Sequence, residues 1–292
     1  MAETNVYLNR LGEHTWWSMP DDRTDRPVLA AVAGTTHVLM VDAGNSPAHA
    51  ARFLEALEKA GVNLPDYVAL THWHWDHVFG AASLPGLLIA QEETAAQIAQ
   101  MAAWDWSDAA IEERVNAGIE IPFCRDMMLA ELSKAQRKKL VIRQPDLVFK
   151  KRLDIDLGGV TCQVAHVGGD HGRDAAVVHV VEDGVVFLGD CTSAQLYADP
   201  NYYTPRGLPR LMEKLLAFEA GLYFHSHMEA PMTRPQVAAD AARYKRIANV
   251  VDRLDGDRES IIAELERLTG AAVTEDDMET VDLMIAGLPI FR

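Results

Sequence analysis

The chain has 292 residues, of which 49% are hydrophobic and 24% charged, and this composition is ordinary for a soluble globular protein. Its formal net charge of −16 argues against a nucleic-acid partner, because phosphate binding requires concentrated lysine and arginine, and it also disfavours strongly anionic substrates. Membrane insertion is disfavoured too, since no run approaches the ~18 apolar residues that a spanning helix needs.

The N-terminus and the cysteines bear on location. The start, MAETNVYLNR, has no positively charged segment followed by an apolar one, so no signal peptide is predicted. The three cysteines, Cys124, Cys162 and Cys191, are widely spaced and form no C-x-x-C pair, which is typical of free thiols in a reducing compartment. We therefore expect a cytoplasmic protein.

The first half of the chain predicts strands followed by helices. Apolar runs at 28–32 and 36–41 predict strands, and Ser46 and Pro47 supply the N-cap and first residue of a helix that Gly61 ends. A short apolar strand is predicted at 67–70. The segment at about 91–140 is rich in Ala, Glu, Gln and Lys without an alternating pattern, so we interpret it as a helical insertion.

The second half predicts strands again, at 153–157, 160–167, 175–181, 185–188 and 222–224. The C-terminal region, about 235–292, is predicted to be helical, with a capping box at Thr233 and Gln236 and further helices at 257–269 and 274–286. Strand runs broken by helices in two similar halves favour an α/β fold of two packed sheets with helices outside, and we interpret 1–292 as a single domain.

Three histidines and an aspartate lie within T-H-W-H-W-D-H at 71–77, directly after the predicted strand. On an extended loop, His72 and His74 can direct their ring nitrogens at one ion, while Asp76 and His77 can turn toward a second point nearby. Borderline divalent ions such as Zn²⁺ favour imidazole together with carboxylate. The segment therefore predicts a metal site.

His-x-His-x-Asp-His after an apolar strand resembles the signature of the metallo-β-lactamase superfamily. Other residues typical of that family follow in the expected order: Asp42 in V-D-A-G, His171 in G-G-D-H-G-R-D, Asp190 in V-F-L-G-D and His227 in F-H-S-H-M-E-A-P. The resemblance implies a four-layer αββα sandwich with a helical insertion and C-terminal helices, and two metal ions in a cleft at one edge.

The resemblance also implies which residues hold the ions. His72, His74 and His171 would hold the first ion, Asp76, His77 and His227 would hold the second, and Asp190 would bridge the two. Zinc is the expected metal, although manganese or iron also suits histidine and aspartate ligands. Asp42 would support a histidine ring from behind.

Two of these ligands have rivals. His166 also precedes Asp190, but it shares an alternating strand face with apolar residues, so we expect it to be a core histidine and favour His171 as the ligand. His225 competes with His227; the ligand in this fold lies just beyond the strand end, which favours His227.

Three protein ligands per ion leave an open coordination position, which is the pattern of catalytic zinc. The implied reaction is hydrolysis, in which a metal-bridging hydroxide attacks the carbonyl of an ester, lactone, thioester or amide. Asp76 and Asp190 would act in catalysis, and Tyr197, one of three tyrosines in the loop after Asp190, would hydrogen-bond the developing oxyanion. The expected partner is therefore a small molecule with an electrophilic carbonyl.

Two other activities stay open. A sulfur dioxygenase-like oxidoreductase would use one iron on a similar histidine set, and phosphodiesterase or nuclease relatives share the ligands, although the net charge disfavours them. Self-association is a further expectation, since the apolar C-terminal L-P-I-F could dock on a second copy of the chain.

Residues beside the motif give further expectations. We expect Trp73 and Trp75 to pack the loop onto the core, and Arg173 and Asp174 to form a salt-bridged brace. The aromatic residues of the insertion could either line the cleft or pack among its helices: Trp104, Trp106 and Phe123.

Overall fold

The structure, a computed structural model, describes residues 7–291. Its strands are β1 (Leu8–Arg10), β2 (Thr15–Ser18), β3 (Ala30–Ala33), β4 (Val38–Val41), β5 (Tyr67–Ala69), β6 (Leu87–Gln91), β7 (Leu147–Phe149), β8 (Arg152–Asp156), β9 (Thr161–His166), β10 (Ala176–Val180), β11 (Val185–Gly189), β12 (Leu222–His225) and β13 (Met232–Thr233). Its helices are α1 (Pro47–Lys59), α2 (Trp75–Val78), α3 (Glu92–Met101), α4 (Asp108–Asn116), α5 (Pro122–Glu131), α6 (Lys134–Arg137), α7 (Gly207–Leu216), α8 (Arg234–Arg253), α9 (Arg258–Thr269) and α10 (Glu275–Gly287).

The strands form two sheets, one from each half of the chain. The first has seven strands in the order β1 to β7, and the second has six in the order β13-β12-β11-β10-β9-β8. Strands β1 to β4 are antiparallel hairpin neighbours, whereas β4, β5, β6 and β7 run parallel. Parallel neighbours need a crossover connection, and α1 supplies it between β4 and β5.

The two sheets pack face to face, and helices cover their outer faces. Side chains of β4 alternate between the two faces of the first sheet: Leu39 and Val41 belong to the hydrophobic cluster between the sheets, while Val38 and Met40 belong to the cluster beneath α1. A third cluster covers the outer face of the second sheet with side chains of α7 to α10, such as Leu211 and Val251. This arrangement confirms the predicted four-layer αββα sandwich.

Several predicted elements form close to their expected bounds. α1 begins after Ser46, whose hydroxyl accepts a hydrogen bond from the backbone N–H of His49. α8 begins after Thr233, whose capping box with Gln236 is present, and Gly270 ends α9 in the left-handed conformation with φ of 69°. Helices α3 to α6 occupy the segment predicted as a helical insertion.

Other elements were not predicted. β6 and β7, which carry the first sheet to its far edge, and α7, which packs on the second sheet, were missed. Residues 71–77 do not form one extended loop, because α2 begins at Trp75 and therefore contains Asp76 and His77.

Both chain ends bear on earlier expectations. The signal-peptide prediction was made on residues 1–10, and residues 1–6 of this segment lie outside the described residues. Near the other end, Leu288 is buried and Ile290 is exposed, and docking of this segment on a second copy stays a prediction. Within residues 7–291, no helix has the length and apolarity to cross a membrane.

Candidate metal centre

The histidine-rich segment lies where β5 leaves the first sheet. β5 ends at Ala69, the chain passes through His72, and His74 is the residue that precedes α2. The first turn of α2 then rotates Asp76 and His77 away from the direction of the preceding two histidines. The short helix, not an extended loop, therefore divides the ligands between two clusters.

The first cluster consists of three buried imidazoles. Ligand atoms of His72, His74 and His171 lie within 4.8 Å of one another. His171 comes from the loop between β9 and β10, and its Nδ1 lies 3.1 Å from the carbonyl oxygen of Ala194, so this nitrogen donates there. Its Nε2 is thereby left with a lone pair that faces the other two rings.

The second cluster combines two carboxylates and two imidazoles. Ligand atoms of Asp76, His77, Asp190 and His227 lie within 4.8 Å of one another. Asp76 Oδ2 lies 2.9 Å from His77 Nε2 and 3.3 Å from His227 Nε2. Asp76 and His77 come from α2 in the first half of the chain, whereas Asp190 and His227 follow β11 and β12 in the second half. The cluster therefore joins the two halves of the fold.

Asp190 lies between the two clusters. Its Oδ2 is 3.2 Å from His227 Nε2 and 3.4 Å from His77 Nε2 on one side. On the other side it is 3.7 Å from His171 Nε2 and 4.0 Å from His72 Nε2. One carboxylate therefore faces nitrogens of both clusters, which is the position that a bridging ligand would need.

The polar atoms of this centre fit divalent metal ions. In residues 7–291, several of its buried atoms make no hydrogen bond, and these atoms are Nε2 of His72, Nε2 of His171 and Oδ1 of Asp190. Buried polar atoms without partners are costly, so their convergence needs an explanation. Imidazole and carboxylate together are the ligands that zinc and similar ions prefer, and the clusters therefore suggest divalent metal binding.

The electrostatics of the first cluster also suit ligation. Burial, followed by the charges of His77 and His74, holds the pKa of His72 well below its usual value. Burial and His171 lower the pKa of His74 to about 3. Both rings are therefore neutral near pH 7, and a neutral imidazole is the form that binds a metal.

The second cluster behaves differently because it contains carboxylates. Burial alone would raise the pKa of Asp190, but the charges of His227 and His77 bring it well below its usual value. Burial would lower the pKa of His77, but Asp76, Asp42 and Asp190 raise it well above its usual value. Metal binding at these rings would release protons, so affinity should increase with pH.

A network behind the histidines fixes their orientation. Asp42 Oδ2 lies 2.8 Å from His77 Nδ1, and the same carboxylate accepts hydrogen bonds from Thr71 N at 2.7 Å and Thr71 Oγ1 at 2.9 Å. Thr71 Oγ1 also lies 3.1 Å from His72 Nδ1. The expected support of a histidine ring by Asp42 is confirmed, and it leaves Nε2 of His77 free to face Asp76 and Asp190.

One supporting residue was missed by the sequence analysis. Asp25 Oδ1 lies 3.5 Å from His227 Nδ1, on the side opposite the cluster. Burial and the nearby charge of Asp76 raise the pKa of Asp25 to about 7. Asp25 belongs to the acidic and basic run D-D-R-T-D-R at 21–26, in which nothing distinguishes it from its neighbours.

The two rival histidines lie outside both clusters. His166 is half-buried, and its Nε2 lies 2.7 Å from the carbonyl oxygen of Arg173; the expectation that it belongs to the core was wrong because β9 ends at this residue. His225 is closer to the centre, with Nε2 3.9 Å from Asp190 Oδ1, but this nitrogen also lies 3.0 Å from Ser193 Oγ. The geometry places His227 with the carboxylates.

The brace after His171 differs from the expected salt bridge. Asp174 Oδ2 accepts hydrogen bonds from Trp73 N at 3.0 Å and from Thr94 Oγ1 at 2.8 Å, so it ties the metal loop to α3. Arg173 instead extends outward, 89% exposed and 3.8 Å from Glu93.

A cavity of about 410 Å³ adjoins the first cluster. Its lining includes His74 and His171, the aromatic rings of Trp73, Trp104 and Tyr197, and Ile119. Trp104 and Ile119 belong to the helical insertion, so the insertion covers this side of the cleft.

The other aromatic residues have different surroundings. Trp75 is buried beside Phe79, as expected, and Trp106 packs against the same ring with centroids 4.8 Å apart. Phe123 is 50% exposed and does not line this cavity. Trp73 lines the cavity as well as packing, so the expectation of packing alone was incomplete.

Tyr197 is the member of its loop that lies beside the clusters. Its ring centroid is 5.1 Å from that of His74, whereas Tyr203 donates its hydroxyl to Thr192 O away from the cavity. The Tyr197 hydroxyl donates to Glu120 Oε1 at 3.0 Å, and Cys124 Sγ lies 3.6 Å away. To hydrogen-bond an oxyanion, Tyr197 would have to release Glu120, and its catalytic role stays a prediction.

Comparison with known proteins identifies the family. A family model described as the metallo-beta-lactamase superfamily matches residues 23–268. The chain belongs to the metallo-beta-lactamase superfamily. The predicted family resemblance is thus confirmed. No curated protein matches the sequence significantly.

Solved structures share the fold at low identity. A metallo-beta-lactamase from Pontibacter korlensis has a TM-score of 0.56 and 16% identity, with 82% of this chain and 98% of that chain covered. One from Cronobacter sakazakii with a HARLDQ motif has a TM-score of 0.56 and 16% identity, with 86% and 95% covered. The inverting sec-alkylsulfatase Pisa1 from Pseudomonas sp. has a TM-score of 0.64 and 12% identity, with 95% of this chain but 49% of that chain covered. At these identities the likeness shows the fold alone.

Proposed function

We propose that this superfamily member is a dinuclear metal-dependent hydrolase of small molecules that contain an electrophilic carbonyl group. The observation that carries the proposal is the position of Asp190, whose Oδ2 faces nitrogens of both ligand clusters beside a cavity of about 410 Å³. Two adjacent clusters that share a carboxylate are the arrangement that two-metal hydrolytic sites require.

The proposed division of the ligands follows the prediction from the sequence. His72, His74 and His171 would hold one ion, Asp76, His77 and His227 would hold the other, and Asp190 would contact both. Divalent ions held there would supply Lewis-acid polarisation of a carbonyl and a water that is easier to deprotonate. Zinc is our preferred metal, and manganese or iron would suit the same ligands.

Two carboxylates of the chain can act as general bases. Burial would raise the pKa of Asp76, but the charge of His77 lowers it below its usual value, so this carboxylate is ionised near pH 7. Ionised and beside the reaction centre, Asp76 can accept a proton from the attacking water, and Asp190 can do so from the other side. Asp42 and Asp25 act by holding His77 and His227 in orientation.

The cavity favours a small substrate with an apolar portion. Trp73, Trp104 and Ile119 form an apolar wall, and Gln97 adds a polar side chain on the same cavity. A net charge of −16 disfavours polyanions such as RNA. We therefore expect lactones and esters to be the best substrates, followed by thioesters and amides.

The test combines metal analysis with a substrate panel. Protein purified without added metal is analysed for its elements, loaded with zinc or manganese, and assayed with lactone, aryl ester, thioester, alkyl sulfate, phosphodiester and RNA substrates. The alkyl sulfate is included because one structural neighbour is a sec-alkylsulfatase. Asp190→Asn is the test variant. It keeps the side-chain shape but removes the charge that faces both clusters.

Three outcomes distinguish the proposal from its alternatives. Two metal equivalents and carbonyl turnover that Asp190→Asn abolishes would support the proposal. Turnover of phosphodiesters or RNA with inert carbonyl substrates would favour the nuclease alternative. A single iron with oxygen consumption in the presence of a persulfide would favour the dioxygenase alternative.

A further inference from the structure

A second cavity, of about 340 Å³, shares no lining residue with the one already described. It is lined by α1, by the loop that contains Asp21, Arg23 and Arg26, and by Glu229, which follows His227 by two residues. Asp25 of the same loop contacts His227. The cavity therefore adjoins the metal centre but contains none of its predicted ligands.

His49 of α1 is the unusual feature of this cavity. Its side chain is fully buried, yet neither ring nitrogen has a hydrogen-bond partner in residues 7–291. Burial, with the positive charges of Arg26 and Arg52, lowers the pKa of His49 to about 3, so the ring is neutral near pH 7. A neutral imidazole offers one N–H donor and one acceptor, and leaving both unmade is unfavourable unless a ligand or water completes them.

The arginines that line the cavity are not equally engaged. Arg23 pairs with Asp21, and Arg26 pairs with Glu131 at 2.7 Å and 3.1 Å. Arg52 instead stacks its guanidinium over the ring of Tyr7, 4.0 Å from the centroid, and has no ion pair in residues 7–291. Stacking uses the face of the guanidinium and leaves its N–H edge available for a bidentate contact.

We propose that this cavity, the Arg52 cavity, binds the carboxylate of a small monoanionic molecule through the guanidinium edge of Arg52 and the N–H of His49. Carboxylate oxygens accept hydrogen bonds, which matches the donors that the cavity presents. A singly charged carboxylate is favoured over phosphate because the chain is strongly acidic and Glu229 lies at the exposed rim. The carboxylate is either part of the substrate or a separate ligand, and the experiment distinguishes the two.

Acetate is the probe, and its neutral isostere acetamide is the control ligand. Binding to the metal-loaded full chain is measured by ligand-observed NMR for wild type, Arg52→Gln, His49→Gln and Lys59→Gln. Lys59 lies on the same helix, loses the same charge on substitution and does not line the Arg52 cavity. Arg52→Gln should not affect acetate that binds at the metals. The difference in acetate affinity between Arg52→Gln and Lys59→Gln therefore reports binding in the Arg52 cavity alone.

We expect acetate but not acetamide to bind wild type and Lys59→Gln, and Arg52→Gln to weaken acetate about tenfold or more, since a charged hydrogen-bonding partner is lost. His49→Gln should weaken acetate in the same direction. Arg52 is exposed, so its variant should fold even if His49→Gln does not. Equal acetate binding by Arg52→Gln and Lys59→Gln, or none by wild type, overturns the proposal.

The source of the carboxylate is decided with two ester substrates that differ only in a terminal carboxylate or primary amide. If the substrate supplies the carboxylate, Arg52→Gln raises KM for the first ester alone and acetate competes with it. If a separate molecule supplies it, Arg52→Gln changes neither KM. Should neither ester be hydrolysed, the hydrolase proposal is in doubt, but the acetate measurement still decides whether the cavity binds a carboxylate.

Discussion

Replacing Asp42 with asparagine should weaken metal binding at the second cluster without disturbing the backbone. Asp42 has a φ of 59°, in the left-handed region that asparagine tolerates about as well as aspartate. Its carboxylate accepts hydrogen bonds from Thr71 N and Thr71 Oγ1, and its Oδ2 lies 2.8 Å from His77 Nδ1. The substitution therefore changes one charge and one acceptor while the shape and the backbone conformation are kept.

The size of the effect follows from the tautomer of His77. An asparagine offers only one acceptor oxygen to three donors, so its NH₂ group faces either Thr71 or the imidazole. Where the NH₂ group faces Nδ1, the ring must carry its proton on Nε2, the atom directed at Asp76 and Asp190. Loss of such a supporting carboxylate typically weakens metal affinity by about 10–100-fold, which corresponds to about 1.4–2.7 kcal/mol.

Zinc affinity is measured by competition with a chromophoric chelator, which resolves the two equivalents. Asp183→Asn is the matched control, because Asp183 also accepts three hydrogen bonds, from Glu13 N, His14 N and Thr15 Oγ1, far from the metal centre. We expect both variants to unfold at lower temperature, but only Asp42→Asn to weaken one zinc equivalent. Equal zinc affinities in the two variants would refute the argument from tautomer control.

Three further predictions test the site. His227→Ala should lose one metal equivalent, whereas His225→Ala should keep both, and the reverse result in elemental analysis would reassign the ligand. Tyr197→Phe should lower kcat by less than about tenfold because its hydroxyl already donates to a glutamate; a loss of about 100-fold at unchanged KM would show oxyanion stabilisation instead. Gly189→Ala should destabilise the fold by about 2–5 kcal/mol, since φ is 57° and a Cβ would lie 2.6 Å from a threonine hydroxyl. Gly184→Ala is the control, because φ there is 61° but the added Cβ would have no neighbouring atom nearer than 3.7 Å, so only the backbone is strained. If denaturant unfolding shows the same loss of stability in both variants, the steric argument is contradicted.

The sequence was most informative where local chemistry and fold topology coincide. The segment at 71–77 predicts ligands because coordinating side chains are rare at such density, and its position after an apolar strand places them at a sheet end. The capping box of Thr233 and the left-handed Gly270 are local signals: α8 begins after Thr233, and α9 ends before Gly270. The two strand-rich halves favoured two packed sheets with helices outside, and the family resemblance implied the four-layer order.

What the sequence did not reveal depends on contacts between distant segments. β7 forms because its three residues pair with β6, across the whole helical insertion, and nothing in the local pattern of Leu147–Phe149 requires that pairing. Asp25 supports His227 although the two residues lie at opposite ends of the fold's sequence. The hydrogen bond from Tyr197 to Glu120 likewise joins the second half of the chain to the insertion. Hydrophobic periodicity carries no information about such pairs.

The backbone conformations of the supporting aspartates connect the fold to the site. Among residues 7–291, three residues other than glycine have a positive φ, and two of these, Asp25 at 56° and Asp42 at 59°, lie beside His227 and His77, the proposed ligands. Such conformations cost free energy and persist only where the surrounding structure enforces them. In both cases the left-handed turn directs a carboxylate back at an imidazole Nδ1, which leaves Nε2 directed at the cluster. The strain is therefore located beside the rings of His77 and His227, on their Nδ1 sides, and an alanine at either position would lose both the turn preference and the carboxylate.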